Sequence, residues 1–257
     1  MIDAHVHLWQ LGRHGCAWPT ADLQPIYRDF ILEDLPTPAQ DVILVQTQEH
    51  PADTAWLLAL ATNPRVRGVV GWADITRPET FPRHPKLKGL RPMVQDQPAD
   101  WYDRLEIAPG LLAIERNGLV LDALIRPCHL PALARLADRH GSLQIVVDHA
   151  AKPDFGDLAP WTDGMAALAA HPNAACKLSG LLTELSPGAD PEAIRPAFDM
   201  LWQMFGPDRL IWGSDWPVLT LAASYTDWLD LARSLVPASH HPAVFGANAA
   251  RIYRLSL

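Results

Sequence analysis

Ile145-Val146-Val147-Asp148-His149 is a continuous apolar, β-branched run that stops at two polar residues. A strand this uniformly apolar is covered on both faces, as in a parallel sheet enclosed by helices. Val42-Ile43-Leu44-Val45 is a second such run. Working outward from these two, candidate strands fall at residues 2–7, 41–47, 66–73, 87–94, 119–125, 143–149, 174–180 and 210–214. Amphipathic patterns between them predict helices over 52–62, 131–140, 157–170, 191–205 and 224–235, and a short one over 243–253. Asp190 followed by Pro191 is a cap and first-turn pair for the fourth of these.

Strands and helices alternating at about thirty residues are βα units, and eight of them predict a (β/α)₈ TIM barrel, one domain over residues 1–257. Two intervals depart from the pattern. Residues 75–86 hold Pro78, Pro82 and Pro85, so a regular helix is not expected there. The first connection, residues 8–40, is long enough to predict a functional loop over the barrel mouth.

Bulk composition narrows the function. The chain has 257 residues, 49% of them hydrophobic, enough for one large core, and a formal net charge of −8 that argues against nucleic acid as a partner. Cys16, Cys128 and Cys176 form no CxxC pair, which speaks against disulfides or a thiolate metal site and for a reducing, cytoplasmic setting. No apolar run reaches the roughly 18 residues of a membrane span, and the N-terminus lacks the pattern of a signal peptide. P-loop, G-x-G-x-x-G, HExxH and G-x-S-x-G motifs are absent.

Chemistry in such a barrel sits at the C-terminal strand ends. Those ends supply His5 and His7, Gln46, Trp72 and Asp74, Arg91, His149 with Lys152 beyond, Ser179, and Asp215 with Trp216. In the first strand His5 and His7 share a face while Val6 takes the other, and two imidazoles roughly 6–7 Å apart along a strand can turn onto one divalent ion. Polar groups ringing otherwise oily strands need a shared wet or metal-bearing site.

The motifs Asp3-Ala4-His5-Val6-His7-Leu8-Trp9, Val69-Val70-Gly71-Trp72-Ala73-Asp74, Asp148-His149-Ala150-Ala151-Lys152-Pro153, Cys176-Lys177-Leu178-Ser179-Gly180-Leu181 and Trp212-Gly213-Ser214-Asp215-Trp216-Pro217-Val218 resemble the amidohydrolase superfamily, and within it the sugar-acid lactonases. The resemblance implies a barrel hydrolase that opens lactone rings, with His5, His7, His149 and Asp215 around the reaction centre. The two-metal members use a carboxylated lysine and a fifth-strand histidine. Here the fifth strand has no histidine, and Lys88 lies at the wrong end of the fourth, so a binuclear centre is not expected. A single divalent ion, zinc first, fits His5, His7 and Asp215, and the branch also contains members that work without metal.

From these roles Asp215 is the expected general base, and His149, or a metal on His5 and His7, the group that polarises the carbonyl. Arg91, Lys152 and Gln46 are expected to hold a small-molecule lactone, with Trp18, Trp72 and Trp216 as flat walls. Blander alternatives are a core position for each tryptophan, a turn cap for Lys152, a surface pair of Arg91 with Asp96, and an Asp122–Arg126 bond. His129, His140, His171, His240 and His241 read as surface, and Glu49-His50 as a solvated loop. Two rival functions are a metal-dependent decarboxylase of the same superfamily and a barrel that binds a sugar acid without turning it over. Oligomeric state is not written in these motifs.

Overall fold

In the computed structural model, which describes residues 1–256, eight parallel strands pair in chain order: β1 Ile2–Val6, β2 Asp41–Val45, β3 Val66–Gly71, β4 Leu87–Leu90, β5 Val120–Ala123, β6 Ile145–Val147, β7 Ala174–Leu178 and β8 Leu210–Trp212. β1 meets the chain leaving β8: His7 N donates to the Trp216 carbonyl and Asp215 N to the His5 carbonyl, each at 2.8 Å. That closes the expected (β/α)₈ barrel. The interior is filled by Ile43, Val45, Val70, Val146, Ala175 and Ile211 and plugged at the base by Ile252 and Tyr253.

The helices are α1 Pro51–Leu60, α2 Ala108–Arg116, α3 Leu130–Arg139, α4 Ala159–Ala169, α5 Arg195–Phe205, α6 Tyr225–Leu235 and α7 Asn248–Ile252. Helix α2 is not among the helices expected from the sequence; Pro109 and Gly110 fall in its first turn, where proline has no partner to lose. The helix expected over 191–205 starts later: Pro191–Ile194 is a 3₁₀ turn, capped as expected by the Asp190 carboxylate on Glu192 N. His50 is exposed, as expected of a solvated loop, and its Nδ1 accepts from Ala52 N at 3.1 Å and caps α1. Between β3 and β4 only the short turn Pro78–Thr80 forms.

Helix α3 shows how the outer layer is held. Leu130, Leu133, Leu136 and Ala137 form its buried stripe, while Arg135 and Arg139 face outward to Asp103. Leu133 is fully buried, so Leu133→Ala is expected to lower the unfolding free energy by about 2–5 kcal/mol, read by urea denaturation. A loss under 1 kcal/mol would mean the layer can collapse around the void.

The first loop crosses the mouth as an ordered strap. Trp9 and Phe30 exchange backbone hydrogen bonds at 3.1 and 2.9 Å, and Phe30 meets the Trp216 ring edge-on at 5.2 Å. Among the described residues no helix is long and apolar enough to cross a membrane.

Candidate active site

A register slip between Asp3 and Val6 shapes β1. Ile2 and Ala4 pack in the barrel interior, and beyond the slip His5 and His7 also converge on the mouth. Asp3 instead turns outward, where its carboxylate accepts from Ser214 N at 2.8 Å, His5 N at 3.2 Å and the Tyr225 hydroxyl at 3.1 Å. It therefore splints β1 to the β8 loop that carries Asp215. His5 fits there because Gly213 lies against it; a Cβ on Gly213 would come 2.6 Å from His5 Cβ.

His5 Nε2 and His7 Nε2 are 3.1 Å apart, and Asp215 Oδ1 lies 3.7 and 3.1 Å from them. Donors at the corners of a tetrahedron around an ion with bonds of about 2.0–2.1 Å sit about 3.3–3.4 Å apart, so this triangle matches a divalent ion with a position left open. His7 Nδ1 donates to the Val45 carbonyl at 2.7 Å, which leaves its Nε2 lone pair facing the triangle. His149 Nε2 is 3.9 Å from Asp215 Oδ1, and its Nδ1 lies 3.0 Å from Ser179 Oγ.

Backbone strain delivers His149 and Asp215. His149, Ala150, Ala151 and Lys152 all adopt left-handed φ values of 48–61°, as does Asp215 at 62°. Left-handed geometry costs a non-glycine residue roughly 1–2 kcal/mol, so a run of four survives only where the surroundings hold it. The Lys152 N–H closes this turn on the His149 carbonyl at 2.8 Å, and the Trp161 indole donates to the Ala150 carbonyl at 2.6 Å. Gly180, itself at φ 61°, leaves room for the imidazole; a Cβ there would meet His149 Nδ1 at 2.3 Å.

Below the mouth runs a chain of buried charges. Lys177 on β7 reaches Asp122 at 2.6 Å and Asp148 at 3.0 Å, and Tyr253 donates to Asp122. Arg91 reaches Asp148 Oδ2 at 3.2 Å and the Gln46 carbonyl, and its Nη1 is 3.4 Å from His5 Nε2. Burial would raise the Asp148 carboxyl, but Lys177, His5 and Arg91 outweigh it and hold it well below the usual range. Asp215 is likewise held low: burial opposes ionisation, and His149, His7 and His5 overcome it. Burial keeps His149 neutral, pushing it down to about 4 despite Asp215.

Asp53 on α1 behaves in the opposite way. Burial raises its carboxyl to about 6 against the backbone N–H groups of Thr47 and Gln48. The native state thus keeps a proton that the unfolded chain has lost by about pH 4, so this group makes stability fall as pH rises from about 4 through 6, by on the order of 2–3 kcal/mol. Asp53→Asn keeps an acceptor oxygen without the charge. It is expected to be more stable than wild type at pH 8 and to flatten that decline, in urea titrations across pH; an unchanged slope would refute the buried-acid account.

A cavity of about 310 Å³ opens at this mouth, within the range of small-ligand pockets of about 300–1,000 Å³. His7, Arg91, His149, Lys152, Asp215 and Trp18 line it, together with Thr47, Gln95 and Thr183. Lys152 is paired with Glu184 at 2.8 Å. Three expected contacts lie elsewhere. Gln46 is fully buried behind Arg91, donating to its carbonyl at 3.0 Å; Trp216 is buried under Phe30; and Trp72 lines a separate cavity beside α1. Arg91 does not pair with Asp96, which takes Arg126 at 3.6 Å instead, and Asp122 has Lys177 rather than Arg126. His129 is not at the surface; it is buried, with Nε2 2.9 Å from the Gln97 carbonyl. Sequence reading passed over Lys177 and the role of Asp148, although a lysine alone inside an apolar strand is itself a signal of a buried partner.

Imidazoles and a carboxylate gathered at the C-terminal mouth of a (β/α)₈ barrel, around a ligand-sized cavity, define a barrel hydrolase. The chain belongs to the amidohydrolase family, whose profile it matches over residues 2–255. It is 40% identical to an L-fucono-1,5-lactonase of Burkholderia ambifaria, over 99% of this chain and 95% of that protein, and 35% identical to an L-fucono-1,5-lactonase of Burkholderia multivorans, over 99% and 96%. A crystal structure of an amidohydrolase from Burkholderia multivorans with bound zinc is similar at a TM-score of 0.91 and 34% identity, covering 99% of both chains.

Proposed function

We propose that this protein hydrolyses the lactone of a sugar acid at the site of Asp215 and His149, with one zinc ion held by His5, His7 and Asp215. The observation that carries the reading is the Asp215 carboxylate facing three imidazoles at 3.1–3.9 Å in a ligand-sized cavity. Full-length similarity to two L-fucono-1,5-lactonases supports the substrate class. Zinc in the similar amidohydrolase structure supports the metal, as does the donor triangle here.

When bound, zinc would supply a Lewis acid for the ester carbonyl. Asp215 is ionised at neutral pH and so is always in the accepting form; it takes a proton from water as the oxygen attacks the carbonyl carbon. With the Ser179 hydroxyl donating to Nδ1, neutral His149 carries its proton on Nε2 and donates to the oxygen on which charge develops. The ring C–O bond then breaks, and Asp215 returns its proton to the leaving alkoxide. The product is the open hydroxy acid.

Charge and shape assign the remaining contacts. Arg91 is tied by Asp148 and Lys152 by Glu184, so both present polar, already neutralised edges suited to hydroxyl groups rather than a free cation for a carboxylate. Trp18 supplies an apolar wall. A panel of aldonolactones followed by proton release tests the proposal: acid production from a sugar lactone supports it, carbon dioxide from aromatic acids indicates decarboxylation, and saturable binding without turnover indicates a binding barrel.

A further inference from the structure

The inner ring nitrogen of His5 faces two groups of opposite kind. Lys177 Nζ is 3.2 Å from His5 Nδ1, and Asp148 Oδ1 is 3.5 Å from it. An ammonium only donates and a carboxylate only accepts, so Nδ1 satisfies one or the other according to whether it carries the proton. The outer nitrogen admits both forms. His7 Nδ1 donates to the Val45 carbonyl, so Nε2 of a neutral His7 can accept from His5 Nε2, whereas Arg91 Nη1, 3.4 Å from His5 Nε2, can only donate to it. With the proton on His5 Nε2, 3.1 Å from His7 Nε2, His5 Nδ1 accepts from Lys177.

The opposite arrangement is also provided for. Asp148 Oδ2 is held by Arg91, and Oδ1, 3.0 Å from Lys177 Nζ but without an aligned hydrogen bond, keeps a lone pair for a proton on His5 Nδ1. Lys177 is itself fixed, through its 2.6 Å contact to Asp122, which Tyr253 anchors from the barrel base.

We infer that Lys177 and Asp148 are positioning residues that select between two tautomers of His5. Lys177 favours the proton on Nε2, a form that cannot ligate an ion; Asp148 favours the proton on Nδ1, which frees Nε2 for zinc. The two residues therefore act on zinc affinity with opposite sign. This rests on the reading of His5, His7 and Asp215 as a zinc site.

The test measures zinc affinity of the full-length protein by competition with a chromophoric chelator. Asp148→Asn is expected to weaken binding about tenfold or more, the size usual for partners of metal-bound histidines. Lys177→Met is expected to tighten it several-fold. Equal weakening in both variants, or no change in Asp148→Asn, overturns the inference. Because either variant can fail to fold, ¹⁵N NMR of the wild-type histidine rings supplies a second readout: His5 is expected to be protonated on Nε2 without zinc and on Nδ1 with it. The same tautomer in both states overturns the inference alone, whereas a wild-type protein that takes up no zinc overturns the metal reading and this inference together.

Discussion

Asp215→Asn is expected to lower kcat for lactone hydrolysis by about 10²–10⁴-fold, the usual contribution of a positioned general base. The substitution keeps the shape of the side chain in a site where it is almost wholly buried, so the barrel is expected to persist in circular dichroism. It removes the only side chain in the mouth cavity that combines a low carboxyl pKa with contact to three imidazoles. A base of that kind stays charged at neutral pH, so neither raising the pH nor adding substrate can restore the variant. Wild-type turnover in Asp215→Asn would refute its assignment as the base. Loss of activity with loss of the folded spectrum would show instead that the residue holds the β8 loop.

Stripping zinc with a chelator is expected to cost about two to three orders of magnitude in kcat, equivalent to several kcal/mol of lost charge stabilisation, with recovery on adding zinc back. The expectation follows from the donor triangle: two imidazole nitrogens and one carboxylate oxygen, each spaced within a few tenths of an ångström of a tetrahedral edge, with His7 fixed by a carbonyl behind it. Full activity in protein shown to be metal-free would remove the ion from the proposal while leaving Asp215 and His149 as its chemical centre. Chelation thus tests the ion alone, whereas Asp215→Asn removes the base and a zinc ligand together.

Strand ends were legible in the sequence because burial on both faces leaves a recognisable apolar run, and a polar residue at its end then stands out. His5, His7, His149 and Asp215 were found in that way, and they meet at one mouth. Trp72 ends an equally clear run but lines another cavity, because the chain after β3 turns its ring toward α1, where Thr54 Oγ1 pairs with the Trp72 backbone. Lys177 and Asp122 were not legible as a pair, since residues 55 positions apart in the chain meet only across the interior of the closed sheet. The left-handed turn from His149 to Lys152 had no signal either. It contains no glycine, and only the packing around it makes that geometry tolerable.

By itself, then, the sequence determined the alternation of strands and helices, the closed parallel sheet and the residue types at its mouth, because hydrophobic periodicity is a local property of the chain. Tertiary structure alone decided which of those residues face a common cavity, through the slip in β1, the strained turn after β6 and the charges paired across the barrel. Each of these depends on atoms brought together by barrel closure, and no pattern along the chain encodes the distance between them.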